Sequence, residues 1–197
     1  MTHVPTLPEP TAAACRHAHR ALQKAFEPHR AYCDWVEAPF GEVFLARTAL
    51  GLCRVSFRKT EETLMDELEQ RALVPELAPS KLNEEKRQLS QYFAGKRREF
   101  DLPIDLRWGT EFQRRVLDAA RRIPFGACEC YSDVARRIGR PKAQRAVGNA
   151  LGSNPVAIVI PCHRVVASGG RLGGYTGGLD IKETLMEIEG IEIEEAL

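Results

Sequence analysis

A chain of 197 residues, 44% hydrophobic and 28% charged, can bury a real core and reads as one or two ordinary globular domains. Its formal net charge of +1 excludes affinity for a polyanion through bulk charge, so any nucleic-acid contact must come from local clustering. No apolar run of about 18 residues occurs, and Met1–Pro10 lacks a basic flank followed by an apolar stretch; neither a membrane span nor a secretory signal is expected.

An intracellular setting follows, cytoplasmic in a prokaryote or nuclear in a eukaryote, with the six scattered cysteines reduced. They form no CxxC pair, which argues against a disulfide framework or a zinc ribbon. Residues 2–10 hold three prolines and read as an arm, followed by a helix from Thr11 to about Phe26. Cys15, His17 and His19 suggest either a metal site or the polar face of that helix.

Tyr32–Ala38, the turn Pro39-Phe40-Gly41, Glu42–Ala46 and Leu52–Phe57 predict a small antiparallel sheet. Thr60 caps a helix with Leu64, Leu68 and Ala72 on one face. A proline-containing break over 75–79 precedes a second helix from Ser80, with Leu82, Leu89 and Phe93 inward. Asp101–Arg107 reads as an extended linker, which sets a domain boundary near Arg107.

Beyond it, a helix over 111–122 carries Phe112, Val116 and Ala119-Ala120 on one side and stops at Pro124 and Gly126. Helices from Ser132 to Ile138 and from Lys142 to about Leu151, joined by Gly139-Arg140-Pro141, form a helix-turn-helix candidate. Between Arg107 and Leu151 stand ten basic residues against four acidic ones, the footprint of a polyanion-binding face or of a solvated surface. The second helix is rich in small residues (Ala143, Ala146, Gly148, Ala150), which suits either a minor groove or close helix packing; Arg145 among them favours the groove.

Val156–Ile160 is a continuous apolar run that predicts a buried strand, delivering Pro161-Cys162-His163-Arg164 at its end. A thiol there is rigid and shielded, and as a nucleophile it must be held as the thiolate, against an ordinary pKa near 8.5. In an extended segment His163 points away from Cys162, so a bridging water is the expected proton relay. The helix from Asp180 to about Glu189 carries Ile181, Leu185 and Ile188 on its apolar face, and Glu189 falls on the same stripe. It is either a frayed-end charge or the acid that orients His163. The glycine-rich stretch Gly169–Gly178 lacks the Lys-Ser/Thr ending of a phosphate loop; it permits close approach to a flat ligand, with Tyr175 for packing and Thr176 for a hydrogen bond.

At Ile160-Pro161-Cys162-His163-Arg164-Val165 the sequence resembles the O6-alkylguanine-DNA alkyltransferase family. Gly109-Thr110-x-Phe112-Gln113, Ile123-Pro124-Phe125-Gly126, Arg145-Ala146-Val147-Gly148, Asn154-Pro155, Gly173-Gly174-Tyr175 and Glu189-Gly190 stand in family order, and Tyr92-Phe93-Ala94-Gly95 looks like its N-terminal domain.

The resemblance implies stoichiometric, irreversible transfer of an alkyl group from O6-alkylguanine in double-stranded DNA to Cys162, without cofactor or metal, by a monomer; O4-alkylthymine is a further implied substrate. It implies that His163 deprotonates Cys162 through a water, Glu189 orients His163, and Asn154 braces the preceding turn. Tyr131 helps rotate the nucleotide and protonates N3 of guanine, while Arg145, with Ala146 and Gly148 beside it, replaces the flipped base. The carbonyls of Cys162 and Val165 read the guanine amino group, and Leu151, Ser168, Tyr175 and Thr176 line the pocket.

Three pairs of positions depart from the family pattern and carry expectations of their own. Cys128 and Cys130 stand where relatives often carry Thr and Ser, altering phosphate contacts or placing thiols near the DNA face. Gly152 and Ala157 replace an Arg and a Pro found in some relatives, which changes the fit for bulky adducts. Thr48 and Cys53 do not restore the zinc ligands of some relatives, and a branch of the family without activity lacks the cysteine present here.

The expected fold is α+β. A 1–30 extension leads into a sheet-plus-helix domain (31–107), and a mainly helical C-terminal domain (108–197) carries the helix-turn-helix and a short active-site strand. Two other readings are a helix-turn-helix lesion sensor or regulator without chemistry, and a cysteine hydrolase that turns over repeatedly.

Overall fold

The computed structural model describes residues 29–192, so the helix expected from Thr11 and the Cys15/His17/His19 group lie outside the described residues. Three strands, β1 (Arg30–Ala38), β2 (Gly41–Thr48) and β3 (Gly51–Phe57), form an antiparallel meander in which Val36 faces Val43 and Leu45 faces Val55. A fourth strand, β4 (Val74–Leu77), occupies the stretch expected to be a break and pairs parallel to β1, giving the order β3-β2-β1-β4. The sheet is therefore mixed. Pro75 is tolerated because β4 is an edge strand, where a missing N–H costs no ladder bond.

Side chains alternate across a strand, and both faces of β2 are covered. Phe44 and Ala46 join Cys33 and Cys53 against Leu64 and Leu68 of helix α1 (Glu61–Glu69), which Thr60 caps through a bond from the Thr63 N–H. Ala72, expected on that helix, lies beyond its end with φ of 57°. Val43 and Leu45 point the other way, towards Leu82, Leu89 and Tyr92 at helix α2 (Asn83–Phe93). Leu82 and Leu89 are buried as expected, whereas Phe93 is only half-buried and Tyr92 is fully enclosed.

The same core runs on into the C-terminal half through Val116, Ala119 and Ala120 of α3 (Glu111–Arg121), capped by Thr110, and Val147 and Leu151 of α5 (Gln144–Gly152). Between them α4 (Tyr131–Arg137) packs on α5 across the Gly139-Arg140-Pro141 turn, in helix-turn-helix order. The chain closes with α6 (Leu179–Ile188).

Two segments cover the exposed edge of β3, as sheet edges require. The linker bonds through Leu52 N–H to the Pro103 carbonyl at 2.8 Å, and Val55 N–H donates to Pro155 at 2.8 Å. The second contact ties the first half of the chain to the loop before the thiol. The overall class is α+β, with a small sheet-bearing first half and a mainly helical second half. No helix among the described residues is long and apolar enough to cross a membrane.

Candidate active site

Residues 156–160 do not form the expected strand. They fold as a buried tight turn: Ile160 N–H returns to the Val156 carbonyl at 2.9 Å, and Ile158 sits at φ of 73°. A β-branched residue in that region is strained by on the order of 1–3 kcal/mol. A continuous apolar run records burial but not backbone direction, which is why the run misleads. Asn154 holds the turn from inside. Its Oδ1 accepts from Val156 N–H at 3.0 Å, and its Nδ2 donates to the Ile160 carbonyl at 2.9 Å and to Cys162 Sγ at 3.2 Å.

Cys162 then opens a short 3-10 turn (Cys162–Arg164) rather than ending a strand. The nearest strand follows it: β6 (Val165–Val166) pairs parallel with β5 (Glu129–Cys130), immediately before Tyr131. That pairing fixes the helix-turn-helix to the thiol segment.

Burial pushes the Cys162 thiol up from its ordinary pKa, while the Asn154 amide and the charge of Lys182 pull it down. The expectation of a standing thiolate is thus corrected. The resting site keeps the proton, and ionisation has to be coupled to an acceptor.

His163, buried, supplies one. Its Nε2 meets Glu189 Oε1 at 2.8 Å, and its Nδ1 is buried with no hydrogen-bond partner among the described residues. Burial opposes the charge on Glu189, yet the bonds from His163 and Arg164 more than offset it and hold the carboxyl down to about 2. An ionised carboxylate at Nε2 fixes the imidazole proton there, which leaves Nδ1 as the basic nitrogen. Burial lowers the pKa of His163, so the ring rests neutral.

Glu189, at the C-terminal end of α6, is no frayed charge. It also accepts from the Tyr92 hydroxyl at 2.7 Å, from Arg164 Nε at 2.8 Å and Nη2 at 2.9 Å, and from Gly126 N–H at 3.2 Å. Sequence reasoning missed Tyr92, Arg164 and Lys182. Arg164 adjoins the Cys-His pair, and its planar fork suits a bidentate bond to a carboxylate. Tyr92 stands inside a motif already noted, but it comes 71 residues before His163, and only the shared core brings them together. Lys182 is enclosed among apolar residues of α6, bonds to the carbonyls of Val165 (2.7 Å) and Leu172, and is lowered by burial to about 8.

A cleft of about 360 Å³ opens over the sulfur, lined by Tyr131, Gly148, Leu151, Cys162, Tyr175 and Thr176 among others. Tyr131 begins α4; its hydroxyl points to the Gly174 carbonyl at 3.5 Å, and burial raises its pKa. Gly173, at φ of +68°, lets the glycine-rich loop pass the Tyr131 ring, where a Cβ would come within 3.2 Å. Thr176 Oγ1 donates to the Gly152 carbonyl at 2.6 Å. Tyr175 stacks on Phe57 with centroids 6.2 Å apart, and its buried hydroxyl lies beside the thiol without completing a hydrogen bond.

The structure does not bring every expected pocket residue to the cleft. Val165 is fully buried, its carbonyl already accepting from Lys182, and Ser168 is exposed on the loop beyond.

Arg145, Gly148 and Gly152 share one face of α5, by spacings of three and four, and that face leads to the cleft. Arg145 and Ala146 are exposed. Of the ten basic residues between Arg107 and Leu151, Arg107, Arg115, Arg122, Arg136 and Arg137 are engaged by carboxylates or carbonyls. The other five are exposed and make no ion pair among the described residues: Arg114 and Arg121 on α3, and Arg140, Lys142 and Arg145 at the turn and the first part of α5. About half of the basic count is therefore left to a ligand, with its densest group at the turn and α5. Cys128 is exposed and Cys130 half-buried at the start of α4, and all five described cysteines are free.

Two family models cover most of the chain: 6-O-methylguanine DNA methyltransferase, ribonuclease-like domain, matches residues 31–106, and the DNA binding domain of the same description matches 111–191. A methylated-DNA–protein-cysteine methyltransferase of Methanosarcina acetivorans is 43% identical over 157 residues, spanning 78% of this chain and 95% of that protein. One of Mycolicibacterium paratuberculosis is 56% identical over 102 residues, 52% of this chain and 61% of that protein. Among solved structures, Mycobacterium tuberculosis OGT in complex with DNA is 38% identical with a TM-score of 0.68, covering 81% of this chain and 92% of its own.

Proposed function

The chain belongs to the 6-O-methylguanine DNA methyltransferase family, and from that premise we propose how its own residues perform a single, irreversible transfer from O6-alkylguanine in duplex DNA to Cys162. The observation that carries the reading is the buried Cys162/His163/Glu189 set beneath a cleft that opens along the α5 face bearing Arg145.

The unpaired cations at the helix-turn-helix meet backbone phosphates, and the small residues of α5 allow close approach to the minor groove. Arg145 enters the base stack as the damaged nucleotide leaves it, with Ala146 and Gly148 keeping the path clear, and Tyr131 guides the nucleotide inward. A flat base then lies between Tyr131, Leu151 and the Gly173–Thr176 segment.

His163 Nδ1, the unpartnered nitrogen, takes the thiol proton through a water while Glu189 balances the charge that develops on the ring. Asn154 Nδ2 and the Lys182 cation stabilise the sulfur anion as it forms. The sulfur attacks the alkyl carbon, the S–C bond forms as the C–O6 bond breaks, and the electron pair leaves with guanine, which regains a proton with Tyr131 as donor at N3. The thioether has no leaving group that would return the thiol, so each chain reacts once. No step calls for a metal or cofactor.

Residues 31–107 act as a supporting domain and 108–197 as the DNA-binding and transfer domain, with 1–30 an extension. The protein works as a monomer in the compartment that holds DNA, because the set described is complete within one chain. A binding-only regulator would have no use for a buried Cys-His-Glu network, and that alternative is not favoured. Cys162→Ala tests the reading: it is expected to abolish transfer of labelled methyl while keeping duplex affinity, and equal loss of both contradicts the assignment.

A further inference from the structure

Cys162 sits where two clefts meet. One is the DNA-side cleft already described. The other, about 320 Å³, runs from the sulfur past Asn154 and Ala157 to the first half of the chain, where Arg54, Lys59 and Arg71 line it. The transfer chemistry uses none of these three cations.

Their charge is incompletely balanced. Arg54 and Lys59 both pair with the single carboxylate of Glu67, and Arg71 adds a third cation close enough to disfavour the charge on Arg54. Arg71 lies over the ring of Trp108 at 5.8 Å, with no carboxylate partner among the described residues. The Arg54 side chain is only 14% exposed, and its Nε is buried without a hydrogen-bond partner. A buried, charged donor with nothing to bond is an unmet demand for an acceptor.

Geometry connects that demand to the reaction. In-line displacement places S and O6 at opposite ends of the reacting carbon, so the rest of an alkyl chain must leave that axis sideways. With guanine in the DNA-side cleft, the second cleft is the open direction. No bulky side chain stands at positions 152 and 157 of the junction, where a Cβ on Gly152 would meet the Thr176 hydroxyl at 3.7 Å and Ala157 presents a single methyl. The Thr176–Gly152 hydrogen bond joins two residues shared by both clefts and is the contact an incoming chain has to pass.

We propose that this second cleft is an alkyl subsite for O6-alkylguanines whose chain ends in a carboxylate, with Arg54, Lys59 and Arg71 receiving the charged end while Cys162 takes the reacting carbon. The inference rests on the alkyl-transfer reading and adds a substrate class to it. The bond changes are those of methyl transfer: S–C forms, C–O6 breaks, the electron pair and a proton go to guanine, and the carboxylate is a spectator held by its ionic contacts.

The test compares single-turnover rates, at saturating protein, on duplexes carrying O6-(3-carboxypropyl)guanine, its uncharged amide counterpart, or O6-methylguanine. The carboxylate is expected to react about tenfold faster than the amide, the factor that one charge-assisted hydrogen bond supplies. Arg54→Met and Lys59→Met should each draw that ratio towards one while methyl transfer keeps its parental rate. Lys59 is the more exposed of the two, so its variant carries the test if Arg54→Met fails to fold. A parental ratio at or below one, or a ratio unchanged in Lys59→Met, overturns the subsite. Absence of methyl transfer in the parent overturns the alkyl-transfer reading instead.

Discussion

Replacing Glu189 by Gln probes the group on which the site's electrostatics converge. The carboxylate takes bonds from Tyr92, His163, Gly126 and both edges of Arg164, all within 3.2 Å. An amide offers one acceptor oxygen, and its NH2 faces donors that have nowhere else to turn. The Arg164 side chain is only 7% exposed, so its cation is left buried and unpaired. Breaking such a pair costs about 3–5 kcal/mol. For a chain of this size that lowers the melting temperature by about 6–20 °C.

Protonation gives a second route to the same quantity. The folded carboxyl titrates at about 2 against an ordinary 4.5, so the unfolded chain binds the extra proton between those values. The stabilisation is complete above pH 4.5 and is lost as pH falls towards 2, on the order of 3 kcal/mol in all. Urea unfolding followed over pH 2–6 is the assay. Glu189→Gln should be destabilised near neutrality and show a shallower acid-side slope than the parent, the remainder coming from carboxylates such as Asp105 that are also held down; adding Arg164→Met should restore part of the loss. A variant within about 1 kcal/mol of the parent, with the acid slope intact, would refute the reasoning.

Two further substitutions separate DNA handling from chemistry. Arg145→Ala should slow repair in duplex DNA far more than attack on free O6-methylguanine base, because no stack needs filling for the free base; equal slowing would remove the finger role. Asn154→Leu leaves the Val156 N–H without its partner, costing about 1–3 kcal/mol, and removes one of two donors from the Ile160 carbonyl, which keeps the Cys162 N–H at 2.8 Å. It also deletes the amide beside the sulfur, so the pH midpoint for reaction of Cys162 with iodoacetamide should move upward; an unmoved midpoint would show that Asn154 only braces the turn.

Much of the fold was legible because local chemistry and burial agree. Strands β1 to β3 alternate across a covered sheet, Thr60 and Thr110 cap their helices, and Gly139 with Pro141 separates α4 from α5. Where the reading failed, tertiary context decided. β4 contains a proline and earns its place only by lying at an edge beside β1. Val156–Ile160 is apolar whichever way its backbone runs, and it is the Asn154 side chain that closes the segment into a turn.

The site was legible at Cys162, His163 and Glu189 because a carboxylate on an apolar stripe requires partners. The partners themselves, Tyr92 and Arg164, emerge only when α2, the thiol turn and the end of α6 are packed together. Lys182 was invisible for the opposite reason: an enclosed lysine satisfied by two carbonyls has no pattern in sequence.

Intact-mass measurement of the protein after mixing with excess duplex bearing O6-methylguanine, followed by peptide mapping, addresses the central claim most directly. One methyl group per chain, located on Cys162 and not exceeded at longer times, is the predicted result. An unchanged mass, a methyl group mapped to another side chain, or lesions removed in multiples of the protein present would contradict it.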